Sequence, residues 1–387
     1  MLANRGRTAI VVGAGIGGLS TAIALRRVGI EATVCERASE LREVGSGLTL
    51  WVNAMRALDK LCVADAVAAR GAVVERLENR LWQGEQLQTL PIGELGDRYG
   101  THNVSIHRAE LQGTLAAALD DGAVRLGMRC EGFAQDRDGV EVRFADGSVR
   151  RTDLLIGADG INSAVRAALH GDSAPRYAGY TCWRSAATID HPLLAPTVYT
   201  QLYGPGATFG VFPIGRGMVS WYGTLVTPEG GGPATAAERK REAQRVFADW
   251  YEPVRAVIDA TDEAGFVRQD IYDRRPIDRW GAGRVTLVGD AAHPTTPTLG
   301  QGGCMAIEDA VVLAKSLSLG GDIPIALRQF ESQRAGRTGG IVRQARRHGV
   351  FYHGANPALR AVRDRFLKAA PVRVAMQQVD KLMGYEA

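Results

Sequence analysis

Apolar positions along the chain come in short β-branched runs closed by glycine, alternating with longer stretches of helical period. The stretch "RTAIVVGAGIGGLSTAIALRRVGIEATVCERA" predicts a strand over Thr8 to Val12, a glycine turn, a helix through Leu19 to Arg27 with Gly29 as C-cap, and a second strand. This is a βαβ unit. Between about 72 and 106 the runs shorten into segments of antiparallel character, with a helix start near Ser105 ahead of "IHRAELQGTLAAAL". From Val124 to Leu155 strands are separated by "DRDG" and "ADGS", both good hairpin turns. "RTDLLIGADGINSAVRAAL" returns to strand, turn and helix.

From about Pro175 to Asp270 the pattern changes to alternating, aromatic strands: "TVYTQLYG", "ATFGVFPI" and "MVSWYGTLV". A loop, "TPEGGGPAT", then feeds a helix carrying Phe247, Trp250 and Tyr251. The first kind of pattern resumes at "GRVTLVGDAAH", so a sheet-rich unit is inserted into the βαβ unit. The last third reads as helix, broken by "HGANP" and Pro371.

Composition narrows the class. With 387 residues, 45% hydrophobic and 23% charged, the chain can bury two unequal cores and is neither disordered nor membrane-spanning in character. No apolar run approaches the roughly 20 residues of a spanning helix, and the N-terminus carries no export pattern. A cytoplasmic protein is expected. The five cysteines, Cys35, Cys62, Cys130, Cys182 and Cys304, form no CxxC pair and read as small buried hydrophobes, with no thiolate-activating neighbour evident at Cys304. The net charge of +4 arises from interspersed charges. Arg343, Arg346 and Arg347, continued by Arg360, Arg363, Arg365 and Lys368, read as a solvated helix face, without a nucleic-acid motif.

Two glycine-rich turns carry the chemistry. Gly13, Gly15 and Gly18 form GxGxxG directly between strand and helix, with Gly17 in the same turn. Such a turn brings backbone amides to a pyrophosphate at a helix N-terminus. Glu36 ends the next strand, about 20 residues on, where a carboxylate accepts from adenosine ribose hydroxyls; Arg37 stands beside it. An acid at that place favours an unphosphorylated ribose, as in FAD or NAD. In "GDAAHPTTPTLGQGGCMAIEDA", Asp290 ends a strand and suits polyol hydroxyls, which FAD has between its rings and NAD lacks. Gly300, Gly302 and Gly303 then offer amides and a helix N-terminus to the negative charge of a reduced flavin.

These motifs, with "DLLIGADGINSAVR" between them, resemble the group A FAD-dependent aromatic hydroxylases, the family with the p-hydroxybenzoate hydroxylase fold. Within it the pattern is most similar to the branch holding urate, salicylate and 3-hydroxybenzoate hydroxylases and zeaxanthin epoxidase. The resemblance covers residues 8 to about 340. It implies an α/β fold: a Rossmann-like FAD-binding domain of glutathione reductase type (1–74, 101–174 and 273–340), an interleaved substrate domain on a mixed or antiparallel sheet (75–100 and 175–272), and C-terminal helices over 341–387. It implies FAD as cofactor, NADH or NADPH and O2 as co-substrates, an aromatic small molecule as substrate, and a monomer or homodimer. Oxygen transfer would run through a flavin C4a-hydroperoxide.

By the same resemblance Arg108 and Gln112 touch the FAD phosphate and ribose region, Asp159 braces the pyrophosphate side with Arg166 near it, and Asp290 holds the ribityl or pyrophosphate linkage. Gly47 and Leu48, in "VGSGLTLWVNAMRAL", run along the isoalloxazine, and Pro297 lines the face where dioxygen is activated. His293 sits beside these loops and is explained as well by a structural hydrogen bond as by a catalytic base. Groups acting on the substrate should project from the second sheet: Arg184 and Tyr203 as catalytic candidates, and Trp183, Phe209, Phe212, Trp221 and Tyr222 as contacts. Urate-oxidising members are expected to carry an arginine in the strand equivalent to "GATFGVFPI". Ala207, Thr208, Phe209 and Gly210 stand there without charge, which disfavours urate and favours a more apolar phenol, a quinolone-like or polycyclic ring, or an olefin for epoxidation. An FAD-dependent oxidase, a plain NAD dehydrogenase and a nonenzymatic FAD-binding protein are the rival readings. The C-terminal helices, with Tyr352, Phe366 and Leu382 as anchors, either cap the active-site entrance or build a dimer contact.

Overall fold

The computed structural model describes residues 4, 6–41, 45–354 and 356–387; Val44 of the proposed flavin-covering segment and Ala355 of "HGANP" lie outside them. The β-branched run Thr8–Val12 forms the centre of a five-stranded parallel sheet in the order Val285–Leu287, Leu154–Gly157, Thr8–Val12, Glu31–Cys35 and Val124–Arg125. Three of its strands end at glycine-containing turns on one edge, at Gly13, Gly157 and Gly289, which is where open parallel sheets bind ligands. Helix Ile16–Arg27 packs its buried face on helix Gly302–Ser318, so both glycine-rich turns lie side by side.

The inserted aromatic strands build a seven-stranded mixed sheet: Val267–Asp273, Arg176–Thr188, Met218–Val226, Ala207–Gly215, Val198–Tyr203, Arg76–Leu81 and Gln86–Leu90. All neighbours are antiparallel except Val198–Tyr203 beside Arg76–Leu81. A small sheet of Gly47–Leu50, Val104–His107 and Ala72–Val73 lies against it. Gly47 is the pivot of that contact: its amide donates to Ser220 Oγ at 2.7 Å, and a Cβ there would meet Ile214 at 2.5 Å.

Alternation along these strands sends two sets of side chains to opposite faces. One set, Trp183, Leu202, Phe209, Val211 and Trp221, packs under helices Ala236–Val246 and Glu252–Ala260 in a core closed by Phe247, Trp250 and Phe266. The other set, including Tyr199, Gln201, Phe212 and Tyr222, faces the first domain, where Tyr199 packs on the large core.

Local corrections follow from capping. The helix expected near Ser105 begins at Arg108, because Val104–His107 pairs as a strand and His107 Nδ1 caps the Ala109 amide at 3.3 Å. Phe247 and Trp250 lie between two helices: Phe247 is the C-cap of the first, and Tyr251 is the N-cap of the second. The C-terminal helices Ile323–His353, Pro357–Ala369 and Val372–Met383 pack on the same chain, with Tyr352 stacked on Tyr203 at 5.1 Å. Phe366 remains exposed, and Leu382 packs against the large core. Nor is the arginine run wholly solvated. Arg346 pairs with buried Asp273 at 3.0 Å, and buried Arg363 donates to the carbonyls of Gly204 and Tyr352.

Candidate active site

The first turn is built by steric necessity. Gly13 has φ +106°, and a Cβ there would lie 2.6 Å from the Ala158 carbonyl oxygen. A Cβ on Gly18 would be driven into the Gly13 carbonyl. Gly15, by contrast, has nothing within 4 Å of where a Cβ would stand, so its backbone faces open space at the helix N-terminus. Gly17 also serves helix packing, since a Cβ there would lie 3.2 Å from the Ala306 Cβ of the neighbouring helix. Glu36 accepts from the Ala14 amide at 2.8 Å and the Ala38 amide at 2.9 Å, and Gln112 donates to the Ala14 carbonyl at 2.7 Å. Both expected ligand residues therefore also hold the turn in shape. Arg37 is exposed beside them.

The "GADG" loop joins from the next strand. Asp159 Oδ2 accepts from the Ala164 amide at 2.7 Å and so caps helix Ala164–His170, while its Oδ1 is buried without a partner. Burial raises the Asp159 pKa above the ordinary carboxylate value, despite hydrogen bonds from Ser163 and nearby amides. Arg166 donates to the carbonyls of Ala291 and Ala292 at 2.9 and 3.0 Å, tying this loop to the second glycine-rich segment rather than to Asp159.

Arg108 and Asp290 line the cleft between the loops. Both are open to water, yet protein surrounds them closely enough to change their proton affinity. Desolvation lowers the Arg108 pKa against the raising charge of Asp290, and desolvation raises that of Asp290 against His293 and Arg108. A cleft bearing one cation and one anion suits a ligand with phosphates and hydroxyls. Arg184, from the second sheet, acts on Arg108 through its charge and donates to Gln269 at 3.0 Å.

Beneath the second loop lies a buried ionic network. His293 Nε2 lies 2.6 Å from Asp309 Oδ2, which also accepts from the Gly289 amide at 2.9 Å. Asp309 Oδ1 accepts from Arg334 at 2.7 Å; Arg334 and Arg337 then hold Glu308, which takes a further bond from Asn53. This makes His293 a structural residue. Cys304 packs in the same helix, its thiol pushed up to about 12 by burial.

Above the loop, Pro297 and Gly300 are exposed, Gly300 with φ +61°. Leu48 reaches the far end, 3.2 Å from where a Gly303 Cβ would lie, so Gly47, Leu48, Gly302 and Gly303 meet at one place. The opposite wall is a ladder of rings: Trp51 stacks on Tyr199 at 6.3 Å and Tyr199 on Phe212 at 4.9 Å. Tyr199 Oη donates to Tyr222 Oη at 3.0 Å, and Tyr222 Oη donates to Gln201. Phe212 and Tyr222 thus stand on this wall. Trp183, Phe209 and Trp221 do not: each is 0% exposed on the opposite face of the sheet, and they are corrected from contacts to core. Tyr203 is corrected likewise. Its hydroxyl donates to Asn79 at 3.1 Å and its ring is held against Tyr352 and Arg363, with burial pushing its pKa well up.

Sequence reasoning missed Trp51, Tyr199 and the acidic pair Glu308 and Asp309. Trp51 lay in a quoted motif, and Tyr199 shares its strand face with Gln201; that alternation was the available signal for Tyr199.

FAD fits this set of groups: an open amide edge at Gly15, an unpartnered buried Asp159 oxygen, and the exposed Arg108 and Asp290. Residues 7–336 match the family model described as an FAD binding domain, and the chain belongs to that family. It is a single-component FAD-dependent monooxygenase. The chain is 40% identical over 364 residues to the aurachin C monooxygenase/isomerase of Stigmatella aurantiaca, covering 94% of each. It is 37% identical to the FAD-dependent urate hydroxylase of Klebsiella pneumoniae, covering 91% of this chain and 92% of that one. The crystal structure of Klebsiella pneumoniae HpxO complexed with FAD and uric acid superposes with a TM-score of 0.93 at 33% identity, over 99% of this chain and 98% of that one. No helix among the described residues is long and apolar enough to cross a membrane.

Proposed function

We propose that this monooxygenase inserts oxygen into a neutral aromatic or heteroaromatic ring held against Trp51, Tyr199, Phe212 and Tyr222, with NADH or NADPH as electron donor. The observation that carries this reading is that the four stacked or hydrogen-bonded rings Trp51, Tyr199, Phe212 and Tyr222 are all uncharged. Strand Ala207–Gly215 bears no ionisable side chain, and Arg184, the cross-strand partner of Tyr222, donates to Gln269. Burial pushes the Tyr199 phenol up to about 12 and that of Tyr222 well above its ordinary value, so both stay protonated at neutral pH. A benzoate-type carboxylate or a urate anion stacked on these rings would find no cation among them, and an unpaired buried charge is costly.

When bound, FAD supplies the two-electron chemistry that activates dioxygen, which no side chain does. The groups placed to hold it are Gly15, Glu36, Arg108, Gln112, Asp159 and Asp290, with Gly47, Leu48, Gly302 and Gly303 at the ring end. The protein's share is positioning and exclusion of water. Tyr199 and Tyr222 act as neutral hydrogen-bonding groups that fix the ring, and Pro297 shapes the side from which oxygen approaches.

The test is anaerobic stopped-flow reduction of the purified flavoprotein by NADH and by NADPH across matched neutral and carboxylated ring compounds. Faster reduction with a neutral heteroaromatic supports the reading; stimulation confined to carboxylates overturns it.

A further inference from the structure

We propose that the outer face of the C-terminal helices, carrying Val350, Val362 and Phe366 among Arg343, Arg347 and Arg365, seats this protein on the surface of an anionic phospholipid bilayer. The seating does not depend on which ring the active site accepts.

Large apolar side chains stand in the open there. Val350 is 64% exposed, Val362 60% and Phe366 58%. Val362 and Phe366 are one turn apart on helix Pro357–Ala369 and share a side of it, with Ala358 and Ala369 exposed on the same side. Phe351, next to Val350 at the end of helix Ile323–His353, meets Phe366 edge-on with ring centroids 6.0 Å apart. The two helices therefore present a joined apolar strip. Single exposed apolar residues are ordinary, whereas a contiguous exposed patch marks a contact surface.

Charge identifies the occupant. Residues 341–387 hold nine Lys and Arg against three Asp and Glu, a net +6 in a chain whose total is +4. Those three acids are already paired: Asp364 with Arg363, Asp380 with Arg98 and Glu386 with Arg56. Arg343, Arg347 and Arg365 are exposed and make no ion pair among the described residues. Spacings of four and three residues put Arg343, Arg347 and Val350 on one side of the long helix, and Arg365 adjoins Phe366. Cations thus flank the apolar strip.

A second copy joined through a twofold axis would set this positive face against itself. An acidic protein would satisfy the arginines but would need an apolar patch of its own for the strip. A headgroup layer takes both parts at once: phosphates meet the arginines, and the valines and phenylalanine enter the acyl boundary, as amphipathic helices do when they lie on a membrane without crossing it. The face also borders the active site. A Cβ on Gly349 would stand 3.5 Å from Thr298 Oγ1, in the turn that begins at Pro297, and Val350 follows directly.

The experiment uses the FAD-loaded full chain and measures sedimentation with vesicles of phosphatidylcholine alone or mixed with phosphatidylglycerol. Wild type should partition at least about tenfold more strongly onto the mixed vesicles, and added salt should erase that preference. Val362→Ser with Phe366→Ser should weaken partitioning at least about tenfold by removing the apolar strip. Arg343→Gln, Arg347→Gln and Arg365→Gln together should abolish the preference for anionic vesicles. All five positions are exposed, so both variants should melt within about 2 °C of wild type. Wild type decides alone should a variant misfold: no binding, or equal binding to both vesicle types, overturns the proposal. Vesicle binding that survives Val362→Ser with Phe366→Ser undiminished overturns it too, by placing the contact elsewhere. Without vesicle binding, self-association of wild type that this double variant abolishes would give the face to a second copy, and retention by polyglutamate would give it to an acidic protein; either result overturns the proposal.

Discussion

His293 Nε2 and Asp309 Oδ2 lie 2.6 Å apart, both side chains buried, directly beneath the turn that carries Asp290. Burial alone would raise the Asp309 pKa; the charges of His293 and Arg334 override it and hold the carboxyl at about 2. A folded-state pKa below the unfolded value stabilises above the unfolded pKa, and that contribution is lost as pH falls through about 4 toward 2. Asp309→Asn should therefore flatten the stability profile across that window, where wild type loses roughly 2 kcal/mol. At neutral pH the variant should be less stable by about 3–5 kcal/mol, because Arg334 keeps only Glu308 as a charged partner. Urea midpoints measured from pH 2 to 7 check both statements.

The first glycine turn separates folding from binding. Gly15→Ala meets no protein atom and keeps an ordinary φ of −71°, so its apo-protein should melt within about 2 °C of wild type. Its methyl group occupies the side open to the cofactor, and FAD should bind at least about tenfold more weakly, a loss of ~1.4 kcal/mol. Gly18→Ala collides with the Gly13 carbonyl and should damage the fold itself. Thermal melts with FAD titrations of both variants distinguish the roles.

The two faces of the seven-stranded sheet should respond differently. Trp221→Ala removes a buried ring that stacks on Phe209 at 5.3 Å and should cost about 3–5 kcal/mol of stability. Its ranking of substrates should not change. Tyr199→Phe retains the ring ladder and removes one hydroxyl, so stability should change by less than about 1.5 kcal/mol while ligand affinity falls several-fold. Denaturation curves and ligand titrations run side by side test this reversal.

Protonation of the wall gives a pH prediction. The raised pKa of Tyr199, about 12, and of Tyr222 keeps both phenols neutral well past their ordinary range. Ligand affinity should then show no ionisation attributable to these groups between pH 6 and about 10. Binding of a non-ionising ring across that range, compared with Tyr222→Phe, provides the check.

How far these features can be read from the chain depends on their physical range. Gly13, Gly15 and Gly18 are legible because a tight turn leaves few residue types able to occupy it, and Glu36 because strand length sets its distance from that turn. Arg108, Asp159 and Asp290 follow from the motifs around them. The substrate wall is less legible. Alternation separates Phe209 and Trp221 from Phe212 and Tyr222, but which face meets the first domain depends on where Phe247 and Trp250 pack. The two helices that flank them could have been the clue, since the aromatic residues at their junction require an apolar partner face. The pairing of Asp309 with Arg334 joins two helices through tertiary packing, and nothing local in either segment announces it.

The central claim is oxygen transfer from O2 to a neutral ring. Its most direct test is turnover under ¹⁸O2 with NADH or NADPH and the heteroaromatic that most accelerates flavin reduction, followed by mass spectrometry of the product. One ¹⁸O atom incorporated per reduced nicotinamide consumed is the expected result. An unlabelled ring, with hydrogen peroxide formed in step with nicotinamide oxidation for every ring compound tried, would contradict the account and leave an oxidase.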